Sequence, residues 1–242
     1  PTADGGYNIP RMLQTYGIIS AIGAILLLLL MRDKPKVSVE ANDEKLPAMD
    51  GFKSLIKQRD MKLVLIMFFF GLGIFNAVST VIDQICQEKG LDVDQTGLVG
   101  GMMLIAGIIG ALVLPPLSDK LRKRKIFVVL AMAGMTPGLI GLTFFSDYTA
   151  LLISSFILGF FLLGAGAPVG FQYAAEITHP APESTSQGLL LFVGQISGIL
   201  FILAMNTFGM IPSMIVFVGI SLVVVVLSLL LKESKIILSE EA

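Results

Sequence analysis

Apolar residues run along this chain in long blocks separated by short polar breaks. Seven stretches, residues 10–31, 63–82, 97–117, 126–145, 150–171, 188–208 and 211–231, each reach the ~20 residues that a helix needs to cross a ~30 Å hydrocarbon core. None carries Asp, Glu, Lys or His in its middle. Strands of a membrane barrel would alternate apolar and polar positions over short segments, and these runs do not alternate. The pattern predicts an all-α membrane protein with seven transmembrane helices.

Most breaks between the blocks are brief, which makes neighbouring helices antiparallel. Residues 33–62 form the one long connection, polar and charged over its first half. In it Phe52, Leu55, Ile56 and Arg59 fall at helical spacing, as in a short helix lying on a membrane surface. The division is therefore one span in residues 1–32, a loop in 33–62, six spans in 63–231 and a tail in 232–242. Basic residues set the orientation, because cytoplasmic loops retain Lys and Arg. With Pro1 outside, the inner segments hold fifteen of the 17 basic residues, and only Arg11 and Lys89 fall outside.

Composition agrees and excludes several classes. The chain is 55% hydrophobic and 14% charged, with a mean hydropathy of +0.85, against about 25% charged for a soluble domain. A net charge of −1 does not suit a nucleic-acid binder. One cysteine, Cys86, allows no internal disulfide. The single histidine, His179, has no second ligand at metal spacing, so no metal site is expected. No nucleophile–base pair or phosphate loop appears, so neither an enzyme nor a cofactor is expected.

Polar residues within apolar helices carry the chemistry that remains, since they are costly unless they face a cavity or each other. Asn76, Ser79, Thr80 and Asp83 lie at i, i+3, i+4 and i+7, on one face of the second span. Gln195 and Asn206 are eleven residues apart in the sixth and share a face. Both stripes fit hydrogen bonding between helices or the lining of a water-filled pathway. Gly97, Gly100, Gly101, Gly107 and Gly110 along the third span, and Gly164 and Gly166 in the fifth, fit tight packing or a sliding hinge. Pro168 adds a kink, because it lacks one backbone donor.

The most specific feature is Ser118-Asp119-Lys120-Leu121-Arg122-Lys123-Arg124-Lys125, a basic turn introduced by Pro115-Pro116. Its cations anchor the chain at the cytoplasmic face, but Asp119 adds nothing to anchoring. An acid among cations at a helix end can pair with a neighbouring helix and act as a latch. Glu176, at the inner end of the fifth span, is the expected counterpart. Ser184 and Gln187 fit a capping box opening the next helix.

The turn resembles the G-x-x-x-D-R-x-G-R-[RK] loop of the major facilitator superfamily, with Asp119, Lys120, Lys123 and Arg124 matching in kind. Pro115 and Arg122 stand at the two glycine positions. The stretches Ile74–Gln84 and Gly170-Phe171-Gln172-Tyr173-Ala174-Ala175-Glu176-Ile177-Thr178-His179-Pro180 are similar to the FLVCR-related transporters (feline leukaemia virus subgroup C receptor-related). The resemblance implies the last helix of an N-terminal half followed by a six-helix C-terminal bundle. It also implies a secondary or facilitative carrier in the plasma membrane, working by alternating access on a small polar or organic solute. Gln195, Asn76, Ser79, Thr80 and Asp83 are then expected at the solute site. Asp119, Lys120, Lys123, Arg124 and Glu176 are expected at an inner gate. The partners expected are the solute, the bilayer and an N-terminal helix bundle. A seven-helix receptor shares the topology, but no cysteine pair, Asn-Pro-x-x-Tyr run or retinal lysine supports it.

Overall fold

The structure, a computed structural model, describes residues 9–30 and 55–234. The chain divides into two compact units, Pro1–Asp43 and Glu44–Ala242, and α1 (Ile9–Leu30) is the described part of the first. The second contains α2 (Arg59–Thr80), α3 (Ile82–Glu88), α4 (Val93–Leu121), α5 (Arg124–Phe144) and α6 (Tyr148–Leu158). A π-helical segment (Gly159–Gly166), α7 (Ala167–Thr178), α8 (Glu183–Phe208) and α9 (Met210–Leu229) complete it. Seven rods are long and apolar enough to span a membrane, with α6, the π-helical segment and α7 forming one of them, Tyr148–Thr178. No strand occurs among the described residues. In hydrocarbon every backbone polar group must find its partner within the segment, which is why such a sequence folds as helices.

Hydropathy locates only the part of each helix that lipid would cover, so several helices run past the expected limits. α4 begins at Val93 because Asp92 and Gln95 cap it reciprocally: Gln95 N donates to Asp92 Oδ1 at 2.8 Å, and Asp92 N to Gln95 Oε1 at 3.3 Å. Pro115 and Pro116 lie inside α4 and do not open the turn, which comes later, at Arg122. Nor do Ser184 and Gln187 form a capping box. Extended Pro182 starts α8 two residues early, with no side-chain cap, and leaves Ser184 within the first turn. Of the expected surface helix, Leu55–Lys57 is helical with Leu55 buried, and Phe52 lies outside the described residues.

α2 packs along α8, α4 along the π-helical segment and α6, and α5 against α9 and α6. Met61, Ile74, Met103, Met135, Leu139 and Leu142 fill the centre. Lipid tails compete with apolar side chains for the same contacts, so close backbone approach supplies much of the association. A Cβ on Gly159 would meet the Met103 carbonyl oxygen, and one on Gly110 would lie 2.9 Å from Gly164 Cα. The kink expected from Pro168 takes the form of the π-helical widening just before it, where Ala167 N bonds the Leu162 carbonyl, five residues back. The glycine stripe of α4 is divided in use. Gly107 and Gly110 are packed against Leu163 and Phe160, whereas a Cβ on Gly97 or Gly101 would touch nothing, so the packing expectation fails there.

Candidate functional site

At the end of the bundle that carries the basic turn, Arg124 is the hub. It opens α5 directly after the turn, and its side chain is only 7% exposed. Nε donates to Glu176 Oε1 at 3.0 Å, and Nη1 donates to Asp119 Oδ1 and, at 3.2 Å, to Ser118 Oγ. The ends of α4, α5 and α7 on this side of the bundle are thereby joined through one guanidinium, whose planar fork suits several acceptors at once. Glu176 is 13% exposed, and its Oε2 is buried without a partner. Lys120 and Lys123 point to the exterior and make no ion pair among the described residues. The cluster contains three of the five residues expected there.

Two neighbours of this cluster were not expected. Glu233, just beyond α9, accepts the backbone N–H groups of Arg124 at 2.8 Å and Lys125 at 3.1 Å, capping α5 from the tail. Tyr173, fully buried, donates its hydroxyl proton to the Lys232 carbonyl at 2.6 Å. An acid directly after the last span, Lys232-Glu233-Ser234, was the available signal. Arg122, at the second glycine position of the loop, ends α4 in the left-handed region with φ 50°, which explains why glycine belongs there. Beside the cluster, Gln172, Glu176, His179 and Glu183 line a groove of about 360 Å3.

The expected solute residues are separated by a bend at Val81, which ends α2 and puts Asp83 on α3. Asn76 turns toward α8: its Nδ2 donates to the Gly194 carbonyl at 3.4 Å, and its Cβ lies against Gly198. Ser79 and Thr80 donate to the Asn76 carbonyl at 3.2 and 2.7 Å. Ser79 and Asp83 line an open groove beside α4, and Thr80 is exposed. Gln195 is exposed on α8, one residue from the Asn76 contact. Asn206, also exposed, returns its amide proton to Ile202 of its own helix. No single face therefore gathers all five residues.

At the opposite end Lys89 holds the α3–α4 turn to the end of α5. Its Nζ donates to the carbonyls of Thr143 at 2.8 Å and Phe145 at 2.7 Å, satisfying groups that a helix end leaves open. Burial pulls its ammonium below the usual lysine value, against the raising effect of Cys86 and Glu88. Among the described residues no group of three His, Cys, Asp or Glu could hold a metal ion.

An apolar bundle of rods long enough to span a bilayer, with an ion-pair hub at one end, is the architecture of an all-α membrane protein. The sequence profile of the Major Facilitator Superfamily matches residues 9–202 and 63–238, and the chain belongs to that family of integral membrane proteins. An uncharacterized MFS-type transporter of Caenorhabditis elegans is 31% identical over 189 residues, covering 75% of this chain and 32% of that protein. The choline/ethanolamine transporter FLVCR1 of Felis catus is 30% identical over 212 residues, covering 81% of this chain and 37% of that protein. An uncharacterized protein of Archaeoglobus fulgidus is 26% identical over 225 residues, covering 92% of this chain and all of that protein. The chain thus spans about a third of the length of the first two relatives. Membership supports membrane transport and sets the receptor reading aside.

Proposed function

We propose that residues 63–231 form one bundle of a secondary active or facilitative carrier that moves a small polar or organic solute by alternating access. A second helix bundle would provide the facing wall of the solute path. The basic end is cytoplasmic by the distribution of Lys and Arg, and the membrane is the plasma membrane. The observation that carries the reading is the Arg124 hub, in a chain whose family is one of transporters. A hub that ties three helix ends at one face lets the bundle move as a unit, as rocking about a central site requires. Asn76, Ser79, Thr80, Asp83 and Gln195 are the residues of this bundle proposed for that path. The cluster of Asp119, Arg124 and Glu176 is proposed as the inner gate. Lys120 and Lys123 are proposed to attract anionic headgroups beside it.

Counterflow tests the reading. The complete carrier, reconstituted in proteoliposomes loaded with unlabelled ethanolamine or choline, should take up the labelled solute faster than unloaded vesicles do. Equal uptake by loaded, unloaded and protein-free vesicles for both solutes would reject carriage of this solute class.

A further inference from the structure

The groove beside α4, at the end opposite the Arg124 hub, holds Ser79 and Asp83 of the proposed solute path together with Gln87 and Thr96, which that reading does not use. It is open, with a volume of about 440 Å3, and lies between the α2–α3 bend and the first half of α4. Its polar lining is Ser79, Asp83, Gln87 and Thr96, with no basic residue and no aromatic ring. Thr96 is 5% exposed, and its hydroxyl is buried without any hydrogen-bond partner. A buried orphan of this kind is unfavourable unless a ligand completes it. Ser79 commits its proton to the Asn76 carbonyl and so offers lone pairs to the groove. The side chains of Asp83 and Gln87 make no hydrogen bond or ion pair among the described residues. The nearby cation Lys89 is occupied by the Thr143 and Phe145 carbonyls. Gly97 and Gly101 leave the floor empty, since a Cβ on either would meet nothing.

The complement of such a lining is a cation that brings its own N–H donors. A bare metal ion would be lost in this volume, because it needs a close shell of oxygens. A quaternary ammonium is held by aromatic faces, and this groove has none. We propose that the groove is a subsite for a protonated primary amine, with Asp83 facing the ammonium and the Ser79 and Thr96 oxygens accepting its other N–H bonds. The proposal rests on the carrier reading. It adds a location on the non-cytoplasmic side and a preference for primary over quaternary amines.

Equilibrium binding of labelled ethanolamine to the complete carrier in detergent, with choline as competitor, tests this. Asp83→Asn should weaken ethanolamine binding by about tenfold or more, and Thr96→Val by several-fold, because bonds to a charged group are the strong ones. The inhibition constant of choline should rise by a smaller factor in Asp83→Asn, where it loses only the attraction of the charge, and stay within about twofold in Thr96→Val, since a quaternary ammonium has no N–H to lose there. Gly101→Leu projects into the groove from a position where a Cβ meets no neighbour, and it should abolish ethanolamine binding while the protein melts as the unmodified carrier does. Ethanolamine affinity that is unchanged in all three variants overturns the subsite, as does an equal loss for choline. If the unmodified carrier moves and binds neither amine, the solute class in the carrier reading fails and the subsite fails with it.

Discussion

Replacing Arg124 with methionine removes the one cation that joins Asp119 and Glu176. Asp119 is 55% exposed and would rehydrate at little cost. Glu176 is different: at 13% exposure it would keep a buried carboxylate with neither oxygen bonded, because Oε2 already lacks a partner. Stripping one partner from a buried pair costs about 3–5 kcal/mol. At about 2–4 °C per kcal/mol for a domain of this size, the melting temperature should fall by roughly 6–20 °C. Adding Glu176→Gln to Arg124→Met removes the stranded charge and should recover at least half of that loss, while Glu176→Gln alone should be the mildest of the three. Cys86 is a built-in reporter, being fully buried and the sole thiol, so a thiol-reactive fluorophore lights up as the chain unfolds in detergent. If all three variants melt within about 1 kcal/mol of the parent, the pair is worth no more than a solvated one and cannot act as a gate.

Four further outcomes are expected. Arg122→Gly relieves a left-handed residue and should raise stability by about 1 kcal/mol in the same melting assay. Gly159→Ala meets the Met103 carbonyl and should destabilise strongly, whereas Gly97→Ala, with open space at its Cβ, should be neutral or gain about 0.5–1 kcal/mol from helix propensity. Lys89→Met leaves two carbonyls at the end of α5 without their donor, and hydrogen exchange should quicken at Phe144 and Phe145 while the α5 start is unaffected. Burial pushes the Cys86 thiol from its ordinary 9.0 up to about 11, with Lys89 opposing and Asp83 adding to the rise. The folded chain therefore holds that proton longer than the unfolded one. The resulting stability is complete below pH 9 and lost as the pH climbs to about 11, and Cys86→Ala should flatten that decline in a melting series.

The helices could be read from the sequence because hydrocarbon imposes one solution on any run of twenty apolar residues. Asp119, Arg124 and Glu176 could be read as well, since charges at helix ends sit where helix ends meet. What could not be read depended on a local break or on a distant approach. The bend at Val81 moved Asp83 off the α2 face, which helical periodicity alone cannot anticipate. Asn76 bonds α8 across 118 residues of chain, and Glu233 caps α5 from 109 residues away, so neither contact leaves a local pattern. Gly97 and Gly107 look alike in the sequence, yet only Gly107 meets another helix, because α6 and its π-helical extension cross α4 nearer the end that carries the Arg124 hub. Thr96 is a first-turn threonine in the sequence, and its orphaned hydroxyl emerges only once the groove has formed.

The most direct test of the central claim is thiol accessibility at the two ends of the bundle in the complete carrier. Ser79→Cys would report the groove beside α4 and Gln172→Cys the groove beside Glu176, each in a Cys86→Ser background and probed in sealed vesicles with an impermeant maleimide. Loosening the hub with Glu176→Gln should raise labelling at position 172 from the cytoplasmic side and lower it at position 79 from the other. Labelling that rises or falls together at both positions, or that ignores the hub, would contradict alternating access.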